Sequence, residues 1–532
     1  MNALAVLYGG DLRPQAHEKV FPGGKSAFDL ALERVRLFPG WQRTLVLGRE
    51  GDSSLPDTAP GVELVLRPRW TRRGLLEAVS NFSQGFDLSY FAWADCPFLD
   101  GELTGAIAER HLRYKAEYSY ADGWPYGFAP ELLAPGVPGI LAKIEGEGEN
   151  PVERDSLFAV LQKDINAFDI ETEISPVDLR SHRLRLAADS KRNLLLLSRF
   201  SAGGIPAARD AARIIGERPE ILRTLPVFYP IQAARPCPQS CAFCPYPALN
   251  VPGGEDFLDP GKFGDLLDRI AGFSGDAVID LSLWGELALH PRRMELIRLV
   301  LERPRLALVI ETSGIGWREG DLEEAAALAA LSPAGGELPP LSWIVSLDSA
   351  DSARYREIRG PGFAEAGSCA KKLFDLFPGS AYVQALRTGG AEDDIEKFYR
   401  FWKEAAPRGN GSVIIQKYDD FCGFLEKRQA ADISPIERQS CWHIMRDFPV
   451  LLNGAVPLCR EELSVFKGAG RVLGNVYEDS LEIIWSRGEK YYAEHCRVSW
   501  RGETAEQTAA DSDRPVYPGI CAECDEYYTF NF

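Results

Sequence analysis

Three cysteines within eight residues, Cys237, Cys241 and Cys244, carry the most specific chemistry in the sequence. They lie in the stretch Pro236-Cys-Pro-Gln-Ser-Cys-Ala-Phe243-Cys-Pro245, directly after an apolar run that reads as a strand. Thiolates in one loop can hold three corners of an iron-sulfur cubane, which leaves the fourth iron without a protein ligand. An iron with a vacant site can take a small-molecule ligand. The spacing is not the C-x2-C-x2-C run of bacterial ferredoxins, and the loop lacks the His partners of a zinc finger. A zinc knuckle completed by a distant fourth ligand is the alternative.

A second constellation closes the chain. Cys441 is followed after twelve residues by Gly454 and after four more by Cys459, and Cys521-Ala-Glu-Cys524 comes last. These four thiols are enough to saturate one tetrahedral zinc or one cubane, and soft ligands suit both. Cys496, beside His495, is a spare that could replace one of them. Cys369 and Cys422 have no partner at ligand spacing and read as core residues, and Cys96 reads as a small buried side chain.

The chain that must position these residues has 532 of them, too many for one core, with 45% hydrophobic and 26% charged residues as in a globular protein. A net charge of -18 argues against non-specific nucleic-acid binding, which rests on Lys and Arg neutralising phosphates. The start, Met1 to Gly10, has no basic flank and too short an apolar run for a signal peptide, and no apolar stretch approaches the roughly 20 residues that span a bilayer. A cytoplasmic location without membrane contact is expected. The eleven cysteines are odd in number and the clustered ones have metal-ligand spacing, so they read as ligands kept reduced rather than as disulfides.

Four regions follow from the patterning. Residues 1–190 form a first α/β domain, in which Ala3 to Tyr8 is a buried strand closed by Gly9-Gly10, and the apolar strand from Leu88 ends at Asp95. A carboxylate there suits a divalent metal with oxygen ligands. Residues 191–224 connect, with a helix expected over Ala207 to Leu225. From 225 to 430, strands at Val227–Gln232, Ala277–Leu283, Leu306–Glu311, Trp343–Leu347, Tyr382–Leu386 and Val413–Gln416 alternate with helices. Six such units imply a parallel sheet curling into a partial (β/α)6 barrel with its site at the strand C-termini. Residues 431–532 form a small cysteine tail.

The C-x3-C-x-Phe-C loop resembles that of the radical S-adenosylmethionine (SAM) enzymes. In that family the free iron chelates the amino and carboxylate groups of SAM, and the aromatic, here Phe243, lies by the adenine. Trp284-Gly285-Glu286 is similar to the Gly-Gly-Glu motif that holds the SAM amino group, with Trp284 in place of the first glycine. Ser346-Leu-Asp348 and Arg359 are similar to a Ser-x-Asp run near the ribose and an Arg that pairs with the carboxylate.

The tail resembles the SPASM and Twitch extensions, which implies one auxiliary 4Fe-4S cluster on Cys441, Cys459, Cys521 and Cys524 beside the SAM-binding cluster. Leu7-Tyr-Gly-Gly, Lys19 to Lys25, Ala94-Asp95-Cys-Pro-Phe and the Glu171 to Asp178 stretch resemble the nucleotidyltransferases of GT-A fold, with Asp178 a candidate second metal ligand. The whole layout is similar to the group called spiro-SPASM proteins. The resemblance implies a radical enzyme fed by an external flavodoxin- or ferredoxin-like reductant. It would abstract hydrogen from a peptide, protein or carbohydrate-type substrate, with the auxiliary cluster accepting an electron or holding substrate. Two alternatives stand: a metal-dependent nucleotidyltransferase with structural clusters, and a non-catalytic iron-sulfur protein.

Overall fold

The computed structural model describes the chain apart from residues 53–54, 56–59, 250–255, 333–337, 407–411, 432–434, 436–439, 501–518, 523 and 530–532 and the side chains of 497–500. It divides into two compact units, Met1–Leu222 and Arg223–Phe532. Most of the segment expected to connect thus falls in the first unit. The helix expected over Ala207 to Leu225 is interrupted. The helix Ala211–Glu217 stops at Arg218, with φ -140° and ψ 56°, because Pro219 disfavours the α conformation in the residue before it.

In the first unit β1 (Ala3–Gly9), β2 (Trp41–Arg49), β3 (Val62–Arg67), β4 (Leu88–Trp93), β5 (Tyr118–Asp122), β6 (Glu131–Leu133) and β7 (Ile170–Ile174) form one sheet in the order β3-β2-β1-β4-β6-β5-β7. Strand β6 runs antiparallel to both its neighbours. All seven residues of β1 are buried, which explains why a central parallel strand reads as an apolar run rather than an alternation.

The second unit holds the expected half-barrel. Strands β8 (Phe228–Pro230), β9 (Ala277–Asp280), β10 (Leu306–Thr312), β11 (Leu341–Ser346), β12 (Ala381–Arg387) and β13 (Val413–Lys417) pair in sequence order, each parallel to the next. Helices such as Pro260–Ser274 and Phe363–Leu376 form the crossovers between them.

Side chains alternate between the two faces of this sheet. Ile279, Leu308, Ile310, Trp343, Val345 and Val383 join the core beneath the helices. On the other face Val278, Val309 and Ile344 form a separate apolar patch. Two residues further along three of these strands the same face carries Asp280, Glu311 and Ser346, so the barrel interior turns polar toward its C-terminal mouth.

The tail supports this sheet as well as following it. An edge strand leaves unpaired backbone groups, and the chain after Cys441 covers those of β8. Phe448 N donates to Phe228 O at 2.9 Å, Val450 N to Pro230 O at 2.8 Å, and Gln232 N to Val450 O at 2.9 Å. Strands β14 (Ala455–Pro457) and β15 (Val472–Asn475) then form an antiparallel pair. Gly454, with φ +83°, makes the turn into β14, and a Cβ there would lie 2.4 Å from Asn475 Oδ1. That accounts for the glycine between Cys441 and Cys459. No helix among the described residues is long and apolar enough to cross a membrane.

Trp343 is fully buried at the centre of the outer face, edge-on to Trp317 at 4.9 Å and packed against Phe377. Trp343→Ala is expected to lose about 3–5 kcal/mol of stability, which chemical denaturation followed by circular dichroism measures.

Candidate metal centres

The cysteine loop leaves β8 and is fastened to the end of the helix Ser352–Arg359. Ser240 N donates to Arg359 O at 3.2 Å and Ala242 N to Ile358 O at 2.9 Å. The Gln239 amide nitrogen donates to Pro361 O at 2.8 Å. The Arg359 guanidinium, only 8% exposed, donates to the Asp348 carboxylate and, at 3.2 Å, to Gln239 Oε1, and it lies 5.7 Å from the Phe243 ring. Asp348 in turn accepts from Leu386 N at 2.7 Å. Three predicted residues, Phe243, Asp348 and Arg359, therefore meet around the loop.

Burial pushes the Cys237 thiol up to about 11 and the Cys244 thiol up to about 12, and it raises Cys241 too, against the Arg359 charge. Thiols so desolvated give up their protons near neutral pH only to a bound metal. The backbone offers thiolates what it can. Amide N-H groups two residues on donate to sulfur at Cys237, from Gln239, and at Cys244, from Tyr246. The donor set fits an iron-sulfur cluster, whose sulfur ligands are stabilised by such bonds.

Gly285 and Glu286 brace the same loop from β9. Gly285 has φ +77°, and a Cβ there would meet Ala234 O at 2.0 Å, so no other residue fits where the chain enters the cysteine loop. Glu286 N donates to Pro236 O at 2.9 Å. Its buried carboxylate accepts from Thr312 Oγ1 at 2.7 Å, Ser313 N at 2.7 Å and Ala288 N at 3.1 Å. The Ser313 side chain bonds to it as well, so the carboxylate's acceptor positions are largely taken within the protein. Ser346 Oγ donates to Glu311 Oε1 at 2.6 Å, and Gln384 reaches the same oxygen at 2.9 Å.

A cavity of about 130 Å³ beside this network is lined by Trp284 and Glu311 and by residues that drew no attention in the sequence, among them Asp280, Phe421, His443 and Arg460. Trp284 adopts φ +55° and stacks on Tyr246 at 5.7 Å. Burial, with Glu311 adding to it, pushes Asp280 up to about 7 although Ser282 and Arg460 pull it down. Only the period-two face could have singled out Asp280 beforehand.

The four tail thiols are also brought together. Cys441 precedes the helix Trp442–Arg446, whose His443 and Ile444 N-H groups donate to its sulfur, and Cys524 and Cys521 both act on it. Burial raises Cys459, and Cys441, Cys521 and Cys524 all act on it. Arg471 lies 3.8 Å from the Cys521 sulfur, and Glu526 N donates to Cys524 Sγ at 3.4 Å. Cys496 instead accepts from Ser440 Oγ at 3.2 Å. Cys422, read as a core residue, lies against Cys524 and is half-buried. Sequence spacing held no signal for that, because eighteen residues separate it from Cys441.

In the first unit the strand-end Asp95 is buried and both its oxygens accept from Arg154, at 3.0 and 2.5 Å. Asp178 is exposed and pairs with Arg180 at 2.7 Å. The two carboxylates proposed for a metal are each held by a different arginine.

Residues 441–525 match the family model SPASM, described as an iron-sulfur cluster-binding domain. An uncharacterized protein of Treponema pallidum (strain Nichols) is 35% identical over 386 residues, which cover 71% of this chain and 98% of that protein. The chain belongs to that protein's family. Its tail is a SPASM domain. Among solved structures it is similar to Streptococcus suis SuiB bound to precursor peptide SuiA, with TM-score 0.40, 13% identity and coverage of 70% of this chain and 82% of that one. It is also similar to a cytidylyltransferase from Leptospira borgpetersenii, with TM-score 0.34, 16% identity and coverage of 41% and 95%. The SPASM tail behind a half-barrel with a three-cysteine loop is the arrangement that the sequence resemblance to radical SAM proteins implied.

The raised Asp280 carboxyl sets a pH dependence. Unfolded, it titrates near the ordinary 3.8; folded, near 7, so between these values the native state binds the extra proton and stability falls as pH rises. Asp280→Asn removes that loss. The melting temperature of the variant minus that of the wild type is expected to grow from pH 4 to pH 8, and a difference that shrinks would contradict the assignment.

Proposed function

We propose that the protein is a radical SAM enzyme with a SAM-binding 4Fe-4S cluster on Cys237, Cys241 and Cys244 and an auxiliary 4Fe-4S cluster in the SPASM tail. The observation that carries this reading is the three-thiol loop at the C-terminal mouth of a parallel half-barrel, pinned by the buried Arg359. When bound, such a cluster with SAM on its open iron supplies one-electron cleavage of the sulfonium to methionine and a 5'-deoxyadenosyl radical that abstracts hydrogen from substrate.

The chain's residues supply position and exclusion of water. In this reading Phe243 packs by the adenine, and the Gly285-Glu286 turn faces the SAM amino group. Ser346 and Asp348 lie toward the ribose. Arg359, already committed to Asp348 and Gln239, steadies the loop and places its guanidinium toward the carboxylate. The cavity lined by Asp280, Glu311 and Trp284 receives the substrate, a peptide, protein or carbohydrate-type molecule, with its reacting C-H bond toward the cluster. An external one-electron reductant is required.

Metal-dependent nucleotidyl transfer by the first unit is disfavoured by the Arg154 guanidinium on Asp95, which stands where the metal would bind.

Anaerobically reconstituted protein, reduced in the presence of SAM, is expected to release 5'-deoxyadenosine. Cys241→Ala is expected to reduce that release at least a hundredfold while the tail keeps its iron. Chromatographic quantitation with an iron assay decides, and undiminished release from the variant would sink the ligand assignment.

A further inference from the structure

Beside the four tail thiols expected to hold a cluster stands another from the preceding loop, Cys422. Cys422 lies outside the matched residues 441–525, on the loop after β13. Several contacts fix that loop against the last described segment. Lys417 Nζ donates to Asp525 O at 2.8 Å and pairs with the Asp525 and Glu526 carboxylates at 3.0 and 2.8 Å. Gln429 Nε2 donates to Asp525 Oδ2 at 2.5 Å. Arg460, directly after Cys459, reaches both Asp419 and Glu526. Phe421, Cys422 and Gly423 all have positive φ, and Asp419 and Asp420 hold that turn through the Phe421 and Gly423 N-H groups at 2.8 and 2.9 Å.

The turn, pinned in this way, sets the Cys422 thiol within hydrogen-bonding reach of Cys524, with Cys459 also nearby. Cys441, Cys459 and Cys521 are buried, whereas Cys422 and Cys524 are both half-buried. Of the four tail thiols, Cys524 is the one with a further thiol against it.

Resting on the cluster reading of the tail, we propose that Cys422 is a working member of the auxiliary metal centre. Its S-H donates to the Cys524 thiolate while Cys524 ligates, and it becomes the fourth ligand when Cys524 is missing. In that second role Cys422 loses its proton to solvent and forms the metal-sulfur bond that Cys524 would have formed, so no oxidant or reductant is needed. A hydrogen bond to a ligand sulfur spreads the charge added on reduction and raises the reduction potential of a cluster. A cysteine that merely filled the core would have neither effect.

The test uses the full chain with Cys237, Cys241 and Cys244 all replaced by Ala, so that only the tail holds metal. After anaerobic reconstitution with iron and sulfide, Cys524→Ala added to this background is expected to keep the iron content of the background, and Cys422→Ala with Cys524→Ala is expected to lose it. Cys422→Ala alone should keep the iron and shift the midpoint potential, followed by electron paramagnetic resonance, to a more negative value. Cys422→Ser, whose hydroxyl still donates, should recover most of that shift. Circular dichroism melts separate loss of fold from loss of ligand. Iron lost on Cys524→Ala alone, together with an unmoved potential in Cys422→Ala, overturns the proposal. Should the background hold zinc instead of iron, the cluster reading of the tail fails. The Cys422 role is then decided by zinc content: retention in Cys524→Ala and loss in the double variant support it, and loss in Cys524→Ala alone overturns it.

Discussion

A buried guanidinium organises the larger unit. Arg359 gives up water to sit between Asp348, Gln239 and the Phe243 ring. Burial works against its charge, but Cys241 and Asp348 outweigh it and hold the group protonated. Ion pairs removed from water seldom add much net stability, yet removing one partner costs about 3–5 kcal/mol because the other is left uncompensated. The pair therefore acts less as glue than as a fixture. It allows only an arrangement in which the end of β11, the end of the helix Ser352–Arg359 and the cysteine loop meet, and that arrangement holds the loop's three thiols in place.

From that fixture outward the half-barrel follows elementary rules. A parallel strand buried on both faces has no wet side, so its polar residues must find partners in the interior. Near the closed end the interior is filled by Val278, Val309 and Ile344. At the mouth the same rows become Asp280, Glu311 and Ser346, and Glu311 gathers Ser346 and Gln384. Asp280 keeps its affinity for a proton because burial desolvates its carboxylate and Glu311 stands near. The tail backbone against β8 adds a second constraint: the chain between Cys441 and Cys459 is also the cover of a sheet edge. Moving the chain between Cys441 and Cys459 would thus unpair part of the barrel that carries the Cys237 loop.

What the sequence disclosed and what it concealed divide along the same line. Strand-helix alternation and short-range cysteine spacing are local signals, and the six parallel strands and the Cys237 loop could be read from them. Trp284 stood out as a departure from a glycine-rich turn, but its positive φ and its stack on Tyr246 depend on an element nearly forty residues away. Asp280 is an unremarked strand end until its neighbours define a face. Cys422 looked like core because its partner lies about a hundred residues on, across a turn that no propensity scale anticipates. The helix read through Ala207 to Leu225 failed for a local reason, since the apolar spacing was weighed above Pro219.

The first unit shows how a recognisable strand end can mislead about chemistry. Asp95 closes β4 at the place where a carboxylate suits a divalent cation, and sequence alone could show that much. Its electrostatic partner, Arg154, comes fifty-nine residues later with no motif around it. The guanidinium pairs with Asp95 and with Asp189 at 3.2 Å and lies 4.3 Å from the Trp93 ring centroid, so the protein itself supplies the positive charge that a metal would bring. Gly10 repeats the pattern. It follows β1 where a phosphate would need open backbone, yet a Cβ there would come within 2.6 Å of Trp70 and 2.7 Å of the Tyr8 hydroxyl, so aromatic side chains already occupy the space beside that turn. A metal would have to displace an arginine whose charge the buried Asp95 requires, and the exchange would strand either the carboxylate or the guanidinium. The architecture survives because its sheet and core do not depend on the cation, while the internal ion pair keeps the acidic strand end compatible with burial.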